Sequence, residues 1–249
     1  MPAEHGIAPM NQLLTFERPL TTVDITIFGV REEALHVLLV RRPEGAGEPY
    51  PGQWALPGGF VDVSRDRDLE GCASRKLKEK TGVAAPYLEQ VGSWGNATRD
   101  PRGWAATHVY FALLPADHLE LIPGGNARET RWTKIEASRV REPLAFDHAE
   151  ILRAAVIRLR NKVEYTSLPT FLMPVEFTLT ELQRMYEILL ARKLEKKAFR
   201  TRFLAAKLVD SLPRMKSGAN RPAQLYRLKP RRQLHFFSRP FGSASSTHG

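Results

Sequence analysis

Three positions with helical spacing, 76, 79 and 80, carry side chains suited to binding an anion. Lys76, Glu79 and Lys80 follow one another at i, i+3 and i+4, so they share one face of the helix that the surrounding pattern predicts. Their combined charge of +1 repels a hard divalent cation and favours a negatively charged ligand. The alternative interpretation is that both lysines simply lie on a solvated helix face.

A second group of charged residues lies in the last third of the chain. Residues 165–249 contain 16 Lys and Arg but 5 Asp and Glu, a net charge of +11, whereas residues 1–164 have a net charge of −1. A solvated surface usually carries both signs, so one-sided basicity indicates phosphate binding, with nucleic acid as the commonest target. The alternative is a basic domain that self-repulsion keeps soluble.

Cations are concentrated in one short stretch of this basic third. Between Glu195 and Arg202 there are four cations and one acid, while Phe199 and Phe203, spaced i and i+4, are placed to face a core. The cations then point to other faces, where they can contact bases and phosphates; an ordinary solvated helix is the alternative. We expect DNA contacts from cations of this helix and of the hairpin that follows it, namely Lys196, Lys197, Arg200, Arg202, Lys216 and Arg221.

Strand-like and helix-like segments alternate in the first two-thirds of the chain and must position the anion-binding face. The helix that carries Lys76 is predicted over 69–80 and ends before Gly82, and a longer amphipathic helix is predicted over 147–164. Apolar or β-branched runs predict strands at 24–30, 35–41, 88–96, 107–114 and 127–135.

The basic third has the outline of a winged helix-turn-helix domain. Thr178 and Glu181 form a capping-box pattern before an amphipathic helix, and a basic helix (194–209) and a hairpin (211–228) follow. Such a domain places one helix in the major groove and a hairpin against the DNA backbone. We therefore divide the chain into five parts. They are a flexible N-terminal segment (1–20), a first domain (21–164), a linker (165–176), a DNA-binding domain (177–230) and a basic disordered tail (231–249).

Two segments of the first domain together resemble the Nudix box. They are Gly58-Gly59-Phe60-Val61-Asp62 and, following it, Arg75-Lys76-Leu77-Lys78-Glu79-Lys80-Thr81-Gly82-Val83. The resemblance implies an α/β Nudix sandwich, with a mixed sheet between helices. Two departures change its chemistry: the loop before the helix is two residues longer, and lysines stand at 76 and 80, where the family has metal-binding glutamates. We therefore expect no metal site and no pyrophosphate hydrolysis, and we expect Lys76 and Lys80 to contact a diphosphate directly.

Further candidates for nucleotide binding lie outside this helix. Arg41 and Arg42 follow a strand, where the family often binds phosphate or ribose, and Gly59 belongs to the box itself. In the polar loop 98–104, Arg99 or Arg102 is a candidate for phosphate contact. Trp104 is a candidate for stacking on adenine, although a packed or lid tryptophan is an equally good interpretation.

The two sets of motifs together resemble the Nudix-related transcriptional regulators of NAD metabolism, the NrtR family. The resemblance is carried by the altered box, by Phe-Thr-Leu-Thr-Glu-Leu-Gln (177–183) and by Arg-Pro-Ala-Gln-Leu-Tyr (221–226), and it runs from about Thr22 to Leu228. It implies a homodimer that binds palindromic double-stranded DNA and represses genes of NAD biosynthesis or salvage. ADP-ribose or a related nucleotide would be the effector, with no cofactor required; some relatives regulate sugar catabolism instead, so the pathway stays open.

Two rival functions remain at the level of sequence. The first is an active Nudix hydrolase, such as an ADP-ribose pyrophosphatase, with an accessory basic domain. The second is an RNA-binding or scaffold protein. The absence of any run of about 18 apolar residues argues against a membrane protein, and residues 1–11 do not resemble a signal peptide. A single cysteine, Cys72, fits a reducing setting, and we expect a cytoplasmic, nucleoid-associated protein.

Overall fold

A mixed seven-stranded sheet organises the first part of the chain. The computed structural model describes residues 17–85, 87–115, 129–217, 222–230 and 233–241. Strand β1 pairs in parallel with β6, and the other pairs of this sheet are antiparallel. The strands are β1 (Leu20–Arg31), β2 (Ala34–Arg41), β3 (Trp54–Ala55), β4 (Gly58–Phe60), β5 (Tyr87–Asn96), β6 (Ala105–Leu113) and β7 (Thr130–Lys134).

Both faces of this sheet are covered by helices, because its strands are apolar on both sides. Ile25 and Ile27 of β1 belong to the core beneath helix α1 (Leu69–Thr81), whereas Phe28 belongs to the core beneath α2 (His148–Tyr165). The predicted α/β Nudix sandwich is confirmed.

The ends of α1 follow directly from the local sequence. The Asp68 carboxylate accepts a hydrogen bond from the Gly71 N–H (2.7 Å), and Gly82 ends the helix with φ of 72°. The β1–β2 turn is harder to predict from the sequence. Glu32 and Glu33 both adopt positive φ, 47° and 59°, but the turn lacks the Asn-Gly pair that usually signals this conformation.

A second, smaller domain follows, with a short sheet against two helices. Its elements are β8 (Phe177–Thr178), α3 (Leu179–Leu190), α4 (Lys196–Ala205), β9 (Val209–Lys216) and β10 (Ala223–Leu228), and its strand order is β8-β10-β9. This is the predicted winged helix-turn-helix order. Helix α4 is shorter than predicted, because Lys207 adopts φ of 53° and β9 already begins at Val209.

The segment between the domains is packed. Residues Leu168–Leu172 of the predicted linker form a short 3-10 helix, in which Leu168 and Leu172 join the core shared by α2 and α3. The Tyr186 hydroxyl of α3 donates a hydrogen bond to the carbonyl oxygen of Thr166 (2.8 Å). The two domains are therefore joined through a continuous apolar core.

The expectation of a disordered tail is wrong for residues 233–241. This segment, which we call the C-terminal strap, runs back along the end of α2. Backbone N–H groups of Phe237 and Phe241 donate to the carbonyl oxygens of Tyr165 and Glu164 (2.7 and 2.8 Å). Both phenylalanine rings are buried in an aromatic cluster that includes Phe203 of α4. Hydrophobic burial outweighs the polar composition that suggested disorder.

Three predictions concern residues that the structure does not describe. The N-terminal segment to residue 16, the end of the tail beyond residue 241 and Arg221 all lie outside the described residues. Within the described part of the chain, no helix is both long and apolar enough to cross a membrane.

Candidate nucleotide cleft and DNA-binding surface

A cleft of about 390 Å³ lies between α1, the strands β1 to β4, the loop before β6 and the beginning of α2. Eight of the nine residues predicted to bind a nucleotide line it, although they come from separate parts of the sequence. They are Arg41, Arg42, Gly59, Lys76, Glu79, Lys80, Arg99 and Arg102.

The ninth residue, Trp104, does not line this cleft. Its side chain is 51% exposed and lies against Gly95, where an added Cβ would be 3.2 Å from the indole ring. Its role in stacking stays a prediction. Phe60 and Phe146 are the aromatic residues that do line the cleft.

Gly58 and Gly59 allow the backbone to pass close to charged side chains. An added Cβ at Gly58 would lie 2.1 Å from an Asp24 carboxylate oxygen, and one at Gly59 would lie 2.9 Å from Lys76 Nζ. Gly59 also adopts φ of 148°, which residues with a side chain rarely adopt. The two glycines therefore bring the β4 backbone against the floor of the cleft and against α1.

The cleft-facing side of α1 carries the predicted cationic trio. Lys80 is buried, and this burial lowers the pKa of its ammonium group; nearby Glu79 opposes the shift and Lys76 adds to it. Glu79 itself is held by Arg75 (3.0 Å), its i, i+4 neighbour on the helix, and by Arg65 (3.7 Å).

The lengthened loop before α1 is closed by its own polar contacts. Asp62 accepts hydrogen bonds from the N–H and hydroxyl of Ser64 (3.0 and 2.6 Å), and Asp66 accepts one from the Asp62 N–H (2.9 Å). Arg75 donates to both carboxylate oxygens of Asp66, which holds the pKa of that carboxyl well below its usual range. The Arg75–Asp66 pair, which the sequence did not reveal, fixes the loop on α1.

The side chains that α1 presents to the cleft do not fit a divalent metal ion. Lys76 and Lys80 supply positive charge, and the carboxylate of Glu79 is already paired with two guanidinium groups. Among the described residues, no group of three or more histidine, cysteine or acidic side chains is arranged to hold a metal. The arrangement favours an anionic ligand held by cations.

Arg41 and Arg42 line the cleft at the end of β2. Arg42 donates from Nε to the Pro49 carbonyl oxygen (2.7 Å) and pairs with Glu48 (3.1 Å), and its guanidinium lies 4.8 Å from the centre of the Phe146 ring. Arg41 is more exposed and donates to the Gly52 carbonyl oxygen (3.1 Å). Both arginines are thus positioned by backbone oxygens, with donors left for a ligand.

Arg99 and Arg102 already have carboxylate partners. Arg99 is buried and makes a two-pronged contact with Asp147 (2.8 and 2.9 Å), while Arg102 makes one with Asp100 (2.7 and 3.0 Å) and lies 5.0 Å from the centre of the Phe60 ring. A phosphate would have to compete with these acids. Because Arg102 is the more exposed of the two, it is the better placed to contact a ligand.

The floor of the cleft contains a polar network that sequence reasoning missed. Asp24 accepts a hydrogen bond from the Thr107 hydroxyl (2.8 Å) and lies 3.6 Å from His148 Nε2 and 3.7 Å from Arg99. Burial raises the pKa of Asp24, but His148, Thr107 and Arg99 outweigh it, so the net shift is downward. His148 Nδ1 accepts the Leu56 N–H (2.9 Å), which leaves Nε2 to carry a proton toward Asp24. The one available signal was an acidic residue within an apolar strand.

The DNA-binding surface predicted on α4 is only partly cationic. Lys196 and Lys197 are exposed, and Arg200 is half-buried with Nη2 donating to the Thr180 hydroxyl (3.0 Å). Arg202 instead contacts the strap, because its Nη1 donates to the carbonyl oxygens of Arg239 and Pro240 (3.0 and 2.6 Å). Of the four cations predicted to contact DNA on this helix, Arg200 and Arg202 are therefore both engaged by the protein, and Lys196 and Lys197 are the exposed ones.

The wing cations have acidic partners in the winged helix domain. Lys216 pairs with Glu181 (2.5 Å), and Arg227 pairs with Glu176 (3.0 Å), which Arg214 also contacts. These pairs are exposed, so their net stabilisation is small and a phosphate can replace the acid. Lys216 lies at the end of β9, and its contact with DNA stays a prediction.

A buried carboxylate holds the turn between α3 and α4. Glu187 accepts hydrogen bonds from the Leu194 N–H (3.1 Å), Lys193 Nζ (3.0 Å) and the Gln183 amide (3.0 Å). Burial raises the pKa of Glu187, but these donors outweigh it and lower the pKa overall. The angle between the two helices is thereby set by polar contacts as well as by packing.

Comparison with known proteins places both domains in one family. The sequence model of the NUDIX domain matches residues 20–155, and that of the NrtR DNA-binding winged helix domain matches residues 169–228. The ADPR responsive transcriptional repressor NtrR of Acinetobacter baylyi is 46% identical over 226 residues, which cover 90% of this chain and 88% of that protein.

Two solved structures of Shewanella oneidensis NrtR are similar to this fold. NrtR in complex with a 27mer DNA is 37% identical with a TM-score of 0.78, covering 89% of this chain and 99% of that one. The NUDIX domain of the same protein in complex with ADP ribose is 40% identical with a TM-score of 0.52, covering 58% of this chain and 90% of that one. The fold and the paired domains define a Nudix protein with a DNA-binding winged helix domain, and the chain belongs to the NrtR family.

Proposed function

We propose that this protein is a transcriptional repressor whose DNA affinity is controlled by ADP-ribose or a related nucleotide bound to the Nudix domain. The observation that carries the proposal is the joining, through one apolar core, of a cationic nucleotide-sized cleft and an NrtR-type winged helix domain. The Acinetobacter relative is an ADPR responsive repressor, and the Shewanella relative has been crystallised with DNA and, as its NUDIX domain, with ADP ribose.

The cleft supplies the charge that a diphosphate requires. Lys76 and Lys80 line the cleft from α1, and Arg42 and Arg102 line it from the segments after β2 and before β6. In a partly buried site these charges act through a lower effective dielectric than in water, which strengthens each contact. Phe60 and Phe146 offer ring surfaces for a base.

The same residues support binding without hydrolysis. A Nudix hydrolase uses divalent ions held by carboxylates to activate water, and lysines stand at two of those positions here. The remaining acid, Glu79, is paired with Arg65 and Arg75. We infer that the protein is a sensor rather than an enzyme and that it needs no cofactor.

Repression requires a geometry that recognises DNA. We infer a homodimer that presents two copies of α4 to a palindromic operator, with half-sites separated by one helical turn or a multiple of it. Nucleotide binding weakens DNA binding only if it favours a dimer geometry that fits the operator less well. We expect the operators to lie before genes of NAD metabolism and the protein to act at the nucleoid in the cytoplasm.

The decisive experiment measures DNA binding, ligand response and hydrolysis in one sample. The full chain is titrated with promoter DNA of NAD-metabolism genes at a stated salt concentration, with and without ADP-ribose, while cleavage of ADP-ribose is followed with and without magnesium. We expect specific binding that changes with ADP-ribose, and no cleavage. Magnesium-dependent cleavage without specific DNA binding would establish the hydrolase alternative.

A charge-matched pair of variants tests the role of the cleft. Lys80→Glu should weaken ADP-ribose binding by roughly tenfold or more, because it places a negative charge beside the diphosphate. Lys78→Glu makes the same change on the exposed side of α1, away from the cleft, and should leave the affinity nearly unchanged. Equal effects of the two variants would contradict the cleft as the binding site.

A further inference from the structure

Helix α4 carries two uncharged side chains on its exposed face, Thr201 and Leu204, which form a short uncharged stripe. Phe199 and Phe203 are buried against Tyr186 of α3, so the residues half a turn away face outward. Thr201 lies opposite the two phenylalanines and is exposed, and Leu204, one turn further along the helix, is 44% exposed. The outward face therefore carries the hydroxyl and methyl group of Thr201 and the aliphatic side chain of Leu204, with Lys197 on the same face one turn before Thr201.

The arginines of α4 lie to either side of this stripe. Arg202 points to the C-terminal strap, where its guanidinium lies 4.8 Å from the centre of the Phe241 ring. Arg200 turns toward α3 and donates to the Thr180 hydroxyl, with its Nε buried. Neither guanidinium occupies the centre of the outward face.

The chemistry of the stripe matches one feature of the major groove. Thymine presents its C5 methyl group there, and apolar side chains and the threonine methyl recognise it by contact. Flanking cations, here Lys196 and Lys197 at the exposed beginning of the helix, hold phosphates and set the position without reading sequence. The net charge of +11 in residues 165–249 favours DNA as the occupant of this face.

We propose that Thr201 and Leu204 are specificity residues, which read thymine methyl groups in the major groove of the operator. The inference rests on the proposed DNA-binding function and adds the chemical class of base contact. It assigns sequence reading to two uncharged side chains, and it assigns positioning on the phosphate backbone to the lysines.

The first step of the test finds a site and maps its methyl groups. The full chain selects duplexes from a random-sequence library at a stated salt concentration, and each thymine of the selected site is then replaced by deoxyuridine. This replacement removes only the C5 methyl group. At the thymines that α4 contacts, we expect an affinity loss of about fourfold, as for one buried methyl group.

Variants then assign each sensitive thymine to a side chain. In the Leu204→Ala variant, deoxyuridine at one of these thymine positions should cause no further loss of DNA affinity. Thr201→Ser, which keeps the hydroxyl and removes the methyl, should abolish the effect at a second position, whereas Thr201→Val should retain it. Ile157→Ala, a similar truncation of a 51% exposed residue on α2, should leave the whole profile unchanged.

The outcomes separate this inference from the proposed function. A selected site without thymine sensitivity, or a sensitivity that persists in both Leu204→Ala and Thr201→Ser, overturns the inference and leaves sequence-specific DNA binding intact. Selection without any sequence preference overturns both. Since these positions are exposed, melting temperatures should match the wild type, and the salt dependence of binding should be unchanged because no charge is lost.

Discussion

At the scale of single residues, the two lysines that α1 presents to the cleft are the feature with the largest chemical consequence. Lys76 and Lys80 line the cleft with two ammonium groups, and Lys80 is buried there. Desolvation lowers the pKa of Lys80, and an anion bound in the cleft would oppose this shift by stabilising the charged form. Binding a diphosphate therefore favours protonation of this amine.

This coupling predicts a pH dependence of ligand affinity. As the pH rises through the lowered pKa of Lys80, the amine loses its charge and ADP-ribose affinity should fall by roughly tenfold. Lys80→Arg should retain affinity over the same range, because a guanidinium stays protonated. Calorimetry from neutral to alkaline pH, in buffers of different ionisation enthalpy, measures both the affinity and the proton uptake. Identical profiles for wild type and Lys80→Arg would contradict a charged contact from this residue.

Residue-scale prediction succeeded where chemistry is local and failed where it depends on distant partners. The pairing of Arg75 with Glu79 follows from i, i+4 spacing and is present at 3.0 Å. The stronger contact of Arg75 with Asp66 depends on how the lengthened loop folds back. Spacing along a helix predicts only contacts made by that helix.

At the scale of elements, helix ends were readable when their capping residues were of the usual types. The capping box of α3 is present as predicted: the Glu181 N–H donates to the Thr178 hydroxyl (3.2 Å), and the Thr178 N–H donates to the Glu181 carboxylate (2.8 Å). Helix α4 instead begins at the unusual cap Glu195, whose carboxylate accepts from the N–H groups of Lys197 and Ala198. Its predicted start was consequently too early.

Removal of the capping hydroxyl should destabilise the winged helix domain. Thr178→Ala leaves the Glu181 N–H of the first turn without its partner and should lower the free energy of unfolding by about 1 kcal/mol. Chemical denaturation followed by circular dichroism measures the change. Thr201→Ala, at an exposed position inside α4, serves as the matched control and should have little effect; equal losses in both variants would contradict a specific role of the cap.

At the scale of the whole molecule, α2 links the two functional surfaces. It begins beside the cleft, where Arg99 donates to both carboxylate oxygens of Asp147 and His148 Nε2 lies 3.6 Å from Asp24. Its 18 residues span about 27 Å. At the other end, the carbonyl oxygens of Glu164 and Tyr165 bind the strap, which in turn packs on α4. A shift at the cleft end is thereby mechanically connected to the DNA-binding helix.

The strap gives this connection a testable form. Phe241 is 4% exposed and contacts Phe199, so Phe241→Ala should lower stability by roughly 3 kcal/mol. It should also reduce the change in DNA affinity that saturating ADP-ribose causes, because one of the contacts that fasten α4 to α2 through the strap is lost. Phe236→Ala, in the same strap but 57% exposed, is the matched control.

Two results would contradict this role of the strap. One is a stability loss for Phe236→Ala as large as that for Phe241→Ala. The other is an undiminished ADP-ribose effect in a folded Phe241→Ala protein. Measuring the effect of DNA on ADP-ribose affinity provides an internal check, because the two couplings must be equal.

The sequence by itself determined the features that depend on neighbours along the chain. Alternating apolar runs indicated the strands, the Thr178 to Glu181 pattern indicated the start of α3, and the one-sided charge of residues 165–249 indicated the basic domain. The order of motifs indicated the family. Periodicity, capping and net charge are local or summed quantities, so they can be read without coordinates.

Only the tertiary structure decided which distant groups meet. It brought Asp24 to within 4 Å of Arg99 and His148 on the cleft floor, placed Trp104 outside the cleft and turned Arg202 to the strap. It also buried Phe237 and Phe241 of a segment whose composition indicated disorder. These outcomes depend on packing between segments far apart in sequence, where the free energy of burial outweighs local preference.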